Sequence, residues 1–130
     1  MSTAAPAEFG GPGDRWSPET LLVASVADCF VLTFRAVSRA AGFHWLRVAC
    51  RVEGVLERIG GVTQFSRYTT RATLTVPPGA DEATARALLE KAEHGCLIAN
   101  SLRGARALET TLEVSDNDAE PAALSGSQRH

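Results

Sequence analysis

The stretch Ser17–Gly42, SPETLLVASVADCFVLTFRAVSRAAG, limits what the rest of the chain can do more than any other segment. Ser17 suits an N-cap, Pro18 the first helical position, and Glu19 puts a negative charge in the first turn. Gly42 supplies the stop. About 24 residues lie between, a helix of roughly 36 Å at ~1.5 Å per residue, long for a chain of this size. Leu21, Leu22, Val23, Val26, Ala27, Phe30, Val31, Leu32, Phe34 and Val37 cannot share one narrow stripe. A helix apolar on all sides must be covered on all sides or lie in a membrane. Asp28 interrupts the apolar run before it reaches the ~18–20 residues a membrane span needs. The expectation is a central helix wrapped by a sheet, with a second subunit as a further candidate cover.

Composition narrows the class. A chain of 130 residues suits one domain, here residues 1–115, with 1–14 as a loose opening segment. The net charge of −2 leaves no electrostatic footprint for nucleic acid, and no basic run marks an anionic membrane surface. No charged n-region precedes an apolar h-region, so a cytoplasmic protein is expected. Cys29, Cys50 and Cys96 form an odd, small set that argues against a disulfide framework. There is no CxxC, and His44, His94 and His130 are scattered, so a zinc site is not expected.

Taken in order, MSTAAPAEFGGPGDRW is rich in Ala, Gly and Pro and holds a turn signal; Trp16 is expected to staple the helix start near Thr20 and Leu21. Residues 45–58 alternate: Trp45, Arg47, Ala49 and Arg51 on one side, Leu46, Val48, Cys50 and Val52 on the other. Cys50 thus falls on an apolar face as a small buried hydrophobe. Gly60–Gly61 marks a hairpin, and 63–76 a second strand with Phe65, Arg67, Thr69, Arg71 and Thr73 on one face. Pro77–Pro78–Gly79 ends it. Asp81 caps a helix over 81–93, His94–Gly95 interrupts it, and a short helix starts near Cys96. A last strand covers 107–115. Residues 116–130, low in hydrophobicity and without period, are expected to be a disordered tail. The order is that of an α+β fold, a long helix on an antiparallel sheet.

A thiol inside an apolar helix is usually packing, but two at helical landmarks raise a chemical option. One thiolate can attack a peroxide O–O bond and become a sulfenic acid, and a second thiol can condense with that acid to a disulfide. The start of the helix after Cys96 offers amides that would lower the Cys96 thiol pKa. Cys29 lies ~15 Å from its own helix start, too far for the dipole to help. It therefore needs a cation, for which Arg15, Arg67 and Arg71 are the candidates, with Glu19 able to hold the guanidinium. Ten residues apart on one helix, Cys29 and Glu19 cannot meet within one subunit. Asp28 diverges from Cys29 by ~100° around the helix.

These pieces resemble the OsmC/Ohr family of thiol-dependent organic hydroperoxide reductases. GGPGDRWSPETLLVASVADCF is similar to the family's glycine-rich loop, its Pro-Glu pair and the long helix bearing the first Cys. HGCLIANSL is similar to its second Cys segment, and the strand–Gly turn–strand unit lies between. The resemblance implies Cys29 as the peroxide-attacking residue, Cys96 as the resolving one, and Glu19 as the carboxylate that orients an arginine. It implies an intertwined homodimer with sites at the subunit interface, an organic hydroperoxide substrate, a dithiol reductant such as a lipoyl protein, and no metal or cofactor. Family members usually begin with extra N-terminal strands, one of which carries the catalytic arginine in the hydroperoxide-resistance branch. Only 18 residues precede Glu19 here, leaving Arg15, Arg67 or Arg71 to substitute. The alternative is an OsmC-like dimer that binds an apolar ligand with little catalysis.

Overall fold

A computed structural model describes residues 17–116 and the main chain of 123–129. The helix expected from Ser17 is α1, Pro18–Ala41, and its ends are set as the sequence reads. Ser17 Oγ accepts from the Thr20 amide at 3.1 Å, and Thr20 Oγ1 accepts from the Ser17 amide at 2.8 Å, so the cap is reciprocal. Gly42 closes α1 in the left-handed region at φ 65°, a conformation costly to any residue with a Cβ. Trp16 and the 1–14 segment lie outside the described residues.

Strands β1 (Arg47–Ile59) and β2 (Val62–Val76) pair antiparallel through Gly60 and Gly61, both at positive φ. A bulge departs from the expected alternation: Leu56 pairs with Phe65 and Val55 with Arg67, leaving Ser66 extra. Phe65 was expected beside Arg67. The extra residue reverses its phase and sets its ring against Tyr68, centroids 5.4 Å apart, and over Gly54.

From β2 the chain crosses through α2 (Glu82–Gly95) and α3 (Leu97–Asn100) to β3 (Ala105–Val114). The hairpin is antiparallel as expected, but β3 lies parallel to β2, because a helical crossover returns the chain in its starting direction. The expected tail is also corrected. Residues 123–129 form β4, parallel to β1 from Ala49↔Ala123 to Val55↔Arg129. Low hydrophobicity is no bar there, since an added edge strand is held by main-chain pairing. The result is a mixed sheet in the order β3-β2-β1-β4.

Both long helices lie on one face of this sheet, α1 over β1 and β4 and α2 between α1 and β3. Val23, Val26, Phe30 and Phe34 of α1 meet Val48, Val52 and Leu74 of the sheet and Ala85, Leu89 and Ala92 of α2. By length and composition α1 is long and apolar enough to cross a membrane despite Asp28, yet its apolar residues supply this core. Among the described residues α1 is covered on one side only, however, and Leu32 on the other is 55% exposed. The opposite face of the sheet is polar: Arg71 bridges Glu53 at 3.2 Å and Glu109 at 3.4 Å.

Candidate functional site

Cys29 sits midway along α1 at the border of its buried face, and Cys96 is fully buried at the junction of α2 and α3. The sequence separates them widely; the packing of α2 against α1 brings them together. The Cys96 thiol points at the Val26 carbonyl at 3.8 Å, one turn before Cys29, close enough for each thiol to bear on the other's ionisation. All three cysteines are free thiols.

The pair is electrically asymmetric. Burial pushes the Cys29 thiol pKa up, but hydrogen bonds from the Ile98 amide, the Cys96 thiol, Thr33 and the Leu97 amide outweigh it, and the net pKa is lowered. Thr33 is the weakest of these in geometry. Its Oγ1 is 4.0 Å from the sulfur, and its one proton goes to the Cys29 carbonyl at 2.7 Å. The Ile98 amide is the largest of the lowering influences and the Leu97 amide the smallest. Cys96 moves the other way, to about 11, through burial first and then its bond to Cys29 and the charges of Cys29 and Glu93, with the Ala99 amide opposing. Of the pair, Cys29 is the thiol that ionises more readily and Cys96 the one that keeps its proton, which it directs at the Val26 carbonyl.

The sequence expects these amides to act on Cys96; the fold directs two of them at Cys29 instead. Cys96 is the N-cap of α3 but makes no side-chain cap bond, so the Leu97 and Ile98 amides stay available to a neighbour. Cys50 is buried as expected, its pKa pushed to about 12 by burial, with the charges of Glu93 and Cys96 adding.

The remaining expected site residues are not gathered here. Glu19 lies in the first turn of α1, ~15 Å along the helix from Cys29, and its Oε2 is buried with no hydrogen-bond partner among the described residues. Arg15 lies outside the described residues. Arg71 is held by Glu53 and Glu109, and Arg67 alternates in step with it on the face turned away from α1, so neither reaches Cys29 within the chain. Among the described residues no guanidinium acts on Cys29, and no group of three His, Cys, Asp or Glu could hold a metal ion. Arg106 and Asn100, which brace the junction around Cys96, were not singled out by the sequence; the only signal was their position just after the second Cys.

A thiolate held against a second thiol can attack an electrophile and then close a disulfide. The OsmC-like protein family matches residues 11–122. The uncharacterized protein YmaD of Bacillus subtilis is 28% identical over 117 residues, 88% of this chain and 77% of that protein. The structure of an organic hydroperoxide resistance protein OsmC from Legionella pneumophila, a predicted redox protein, is similar at TM-score 0.68 and 27% identity, over 85% of this chain and 78% of that one. An organic hydroperoxide resistance protein from Elizabethkingia anophelis is similar at TM-score 0.67 and 26% identity, over 88% and 79% of the two chains. With this fold and a match running from residue 11 to residue 122, the chain belongs to the OsmC-like protein family.

Proposed function

We propose that the protein is a thiol-dependent peroxidase that reduces organic hydroperoxides. The Cys29 thiolate attacks the O–O bond of ROOH; with one proton taken up, ROH leaves and Cys29 becomes a sulfenic acid. The Cys96 thiol then attacks that sulfur, a disulfide forms and water leaves. A dithiol reductant, with lipoyl groups as the candidate class, returns both residues to thiols by exchange and is itself oxidised. A cytoplasmic setting, where dithiols keep such a pair reduced, belongs to the same reading.

The observation that carries the proposal is the seating of Cys96 one turn from Cys29, its sulfur 3.8 Å from the Val26 carbonyl, with the Cys29 pKa lowered and the Cys96 pKa raised. The hydroperoxide-resistance relatives support the choice of substrate. A homodimer completes the proposal. It would cover the exposed side of α1 around Leu32 and bring Glu19 of the partner subunit, with an arginine it orients, toward Cys29.

One equivalent of an alkyl hydroperoxide added to the reduced protein should yield an intramolecular Cys29–Cys96 disulfide, seen by peptide mass spectrometry. Cys29→Ser should abolish peroxide consumption, and Cys96→Ser should leave a sulfenic acid at Cys29 that dimedone traps. Peroxide consumption that survives Cys29→Ser would sink the proposal.

A further inference from the structure

The turn between α2 and α3 carries both Cys96 and the amides that reach Cys29; Cys96 and Ala99 seat it in the core, but its own capping is weak. Helix α3 is four residues long and lacks a side-chain cap, too little to persist by itself. The brace comes from β3. Arg106 Nε donates to Glu93 Oε1 at 3.0 Å, its Nη2 donates to the Glu93 carbonyl, and its Nη1 donates to Asn100 Oδ1 at 2.7 Å. Asn100 Nδ2 in turn donates to the His94 carbonyl at 2.9 Å. One guanidinium thus spans the end of α2 and the end of α3. Glu93 is largely shielded at 14% side-chain exposure, while Arg106 lies over it from the solvent side at 28%, so the charge-assisted bonds are partly screened.

We infer that Arg106 is a positioning residue for the thiol pair: seated between Glu93 and Asn100, it fixes the 93–100 turn so that Cys96 and the amides of Leu97 and Ile98 stay against Cys29. It acts only through the turn. Its planar fork matters, because three acceptors on two helices are met by one rigid group, and a lysine ammonium on a flexible stem cannot span them in the same way. The groups acting on Cys29 are Cys96, Leu97 and Ile98 from the turn and Thr33 from α1; Asp28, next door on α1, is exposed. The Glu93 charge bears on Cys96 and Cys50. The inference rests on reading Cys29 as the reactive thiol.

The test is the pH dependence of Cys29 alkylation by iodoacetamide, followed at the Cys29 peptide by mass spectrometry in the full chain and in Arg106→Leu, Arg106→Lys and Asn100→Ala. With the turn released, alkylation of Cys29 near neutral pH should fall about three- to tenfold in Arg106→Leu and its profile move to higher pH, with only partial recovery in Arg106→Lys. If Arg106→Leu does not fold, Asn100→Ala decides: it removes the Nη1 acceptor and the bond to His94, and should slow Cys29 in the same sense. A folded Arg106→Leu, or failing it Asn100→Ala, whose profile superimposes on the parent's overturns the inference. So does full recovery in Arg106→Lys, which would reduce the residue to a charge beside Glu93. Peroxide takes no part in this readout. A parent that alkylates at Cys29 yet forms no disulfide with hydroperoxide removes the peroxidase proposal and leaves the positioning inference standing.

Discussion

Gly95 lies so close to Thr33 that one methyl group would crowd the space: a Cβ on Gly95 would stand 3.3 Å from Thr33 Cγ2. Gly95 is the last residue of α2, immediately before Cys96, and Thr33 is one turn beyond Cys29 on α1. This approach lets the second thiol reach the first. The glycine is there for proximity, since its φ is not positive. Thr33 cannot turn aside cheaply, because its hydroxyl is tied to the Cys29 carbonyl at 2.7 Å.

Gly95→Ala should therefore separate function from stability. A helical alanine gains about 0.5–1 kcal/mol over glycine, and crowding costs a comparable ~1 kcal/mol, so the urea midpoint should move little. The end of α2 must shift by a few tenths of an ångström, and Cys96 with it. Cys29 alkylation and hydroperoxide consumption should both slow several-fold. Adding Thr33→Ser, which deletes Cγ2 and keeps the hydroxyl, should restore them. Unchanged rates in Gly95→Ala would show that the spacing does not matter.

Replacing the donor at position 96 tests the asymmetry of the pair. The Cys96 thiol, directed at the Val26 carbonyl at 3.8 Å, can swing its one proton to Cys29 when Cys29 ionises, and a serine hydroxyl can do the same, whereas alanine cannot. Cys29 should keep most of its depressed pKa in Cys96→Ser and move up toward 9.0 in Cys96→Ala. Losing one hydrogen bond to a charged acceptor is worth about a tenfold drop in alkylation rate at neutral pH. Identical profiles in the two variants would remove Cys96 as a donor and leave the α3 amides alone in that role.

How much of this could be read from the chain follows from where the information sits. Ser17, Pro18 and Gly42 mark α1 because caps are local, and Gly60–Gly61 marks the hairpin for the same reason. Cys29 and Cys96 were legible as a pair through a family resemblance, not through any local rule. The parallel placement of β3 and the pairing of β4 are properties of the whole sheet, invisible to a periodicity of two. The bulge at Ser66 is one inserted residue, enough to move Phe65 to the other face with no mark in composition. The amides of Leu97 and Ile98 belong to every residue alike, so only the docking of α3 could show that they serve Cys29 and not Cys96. The same holds for Arg106, whose three acceptors are spread over two helices.

The bulge can be tested through Gly54. A Cβ there would lie 2.7 Å from Phe65 Cε1, 2.8 Å from its Cδ1 and 3.2 Å from Val23 Cγ2, closer than packed carbons allow. Gly54→Ala should cost about 1–3 kcal/mol by overpacking, read from the denaturant midpoint. Most of that cost should disappear in Gly54→Ala with Phe65→Leu, since the first two contacts are ring atoms. If the double variant is no more stable than the sum of its parts, the strain lies in the backbone of β1 and not in the ring.

Cys50 predicts how stability falls at alkaline pH. Burial holds its thiol near pKa 12, while the unfolded chain releases that proton near the ordinary value of 9.0. Between those values the folded state keeps a proton that the unfolded state has lost, so stability falls as pH rises through this window and levels off above it. At pH 10.5 the loss from this one thiol is about 2 kcal/mol. Cys29 has the opposite sign: its lowered pKa favours the folded state above 9.0, and that contribution fades as pH falls through the folded value. In Cys50→Ala the small cavity should lower stability at neutral pH by about 1 kcal/mol, while the alkaline loss shrinks. Urea denaturation of both proteins from neutral pH upward should therefore give curves that converge, then cross, as the pH passes 9.0. Parallel curves would mean that the thiol is hydrated in the folded protein and ionises freely there, which would contradict its place between Val48 and Val52 on the buried face of β1.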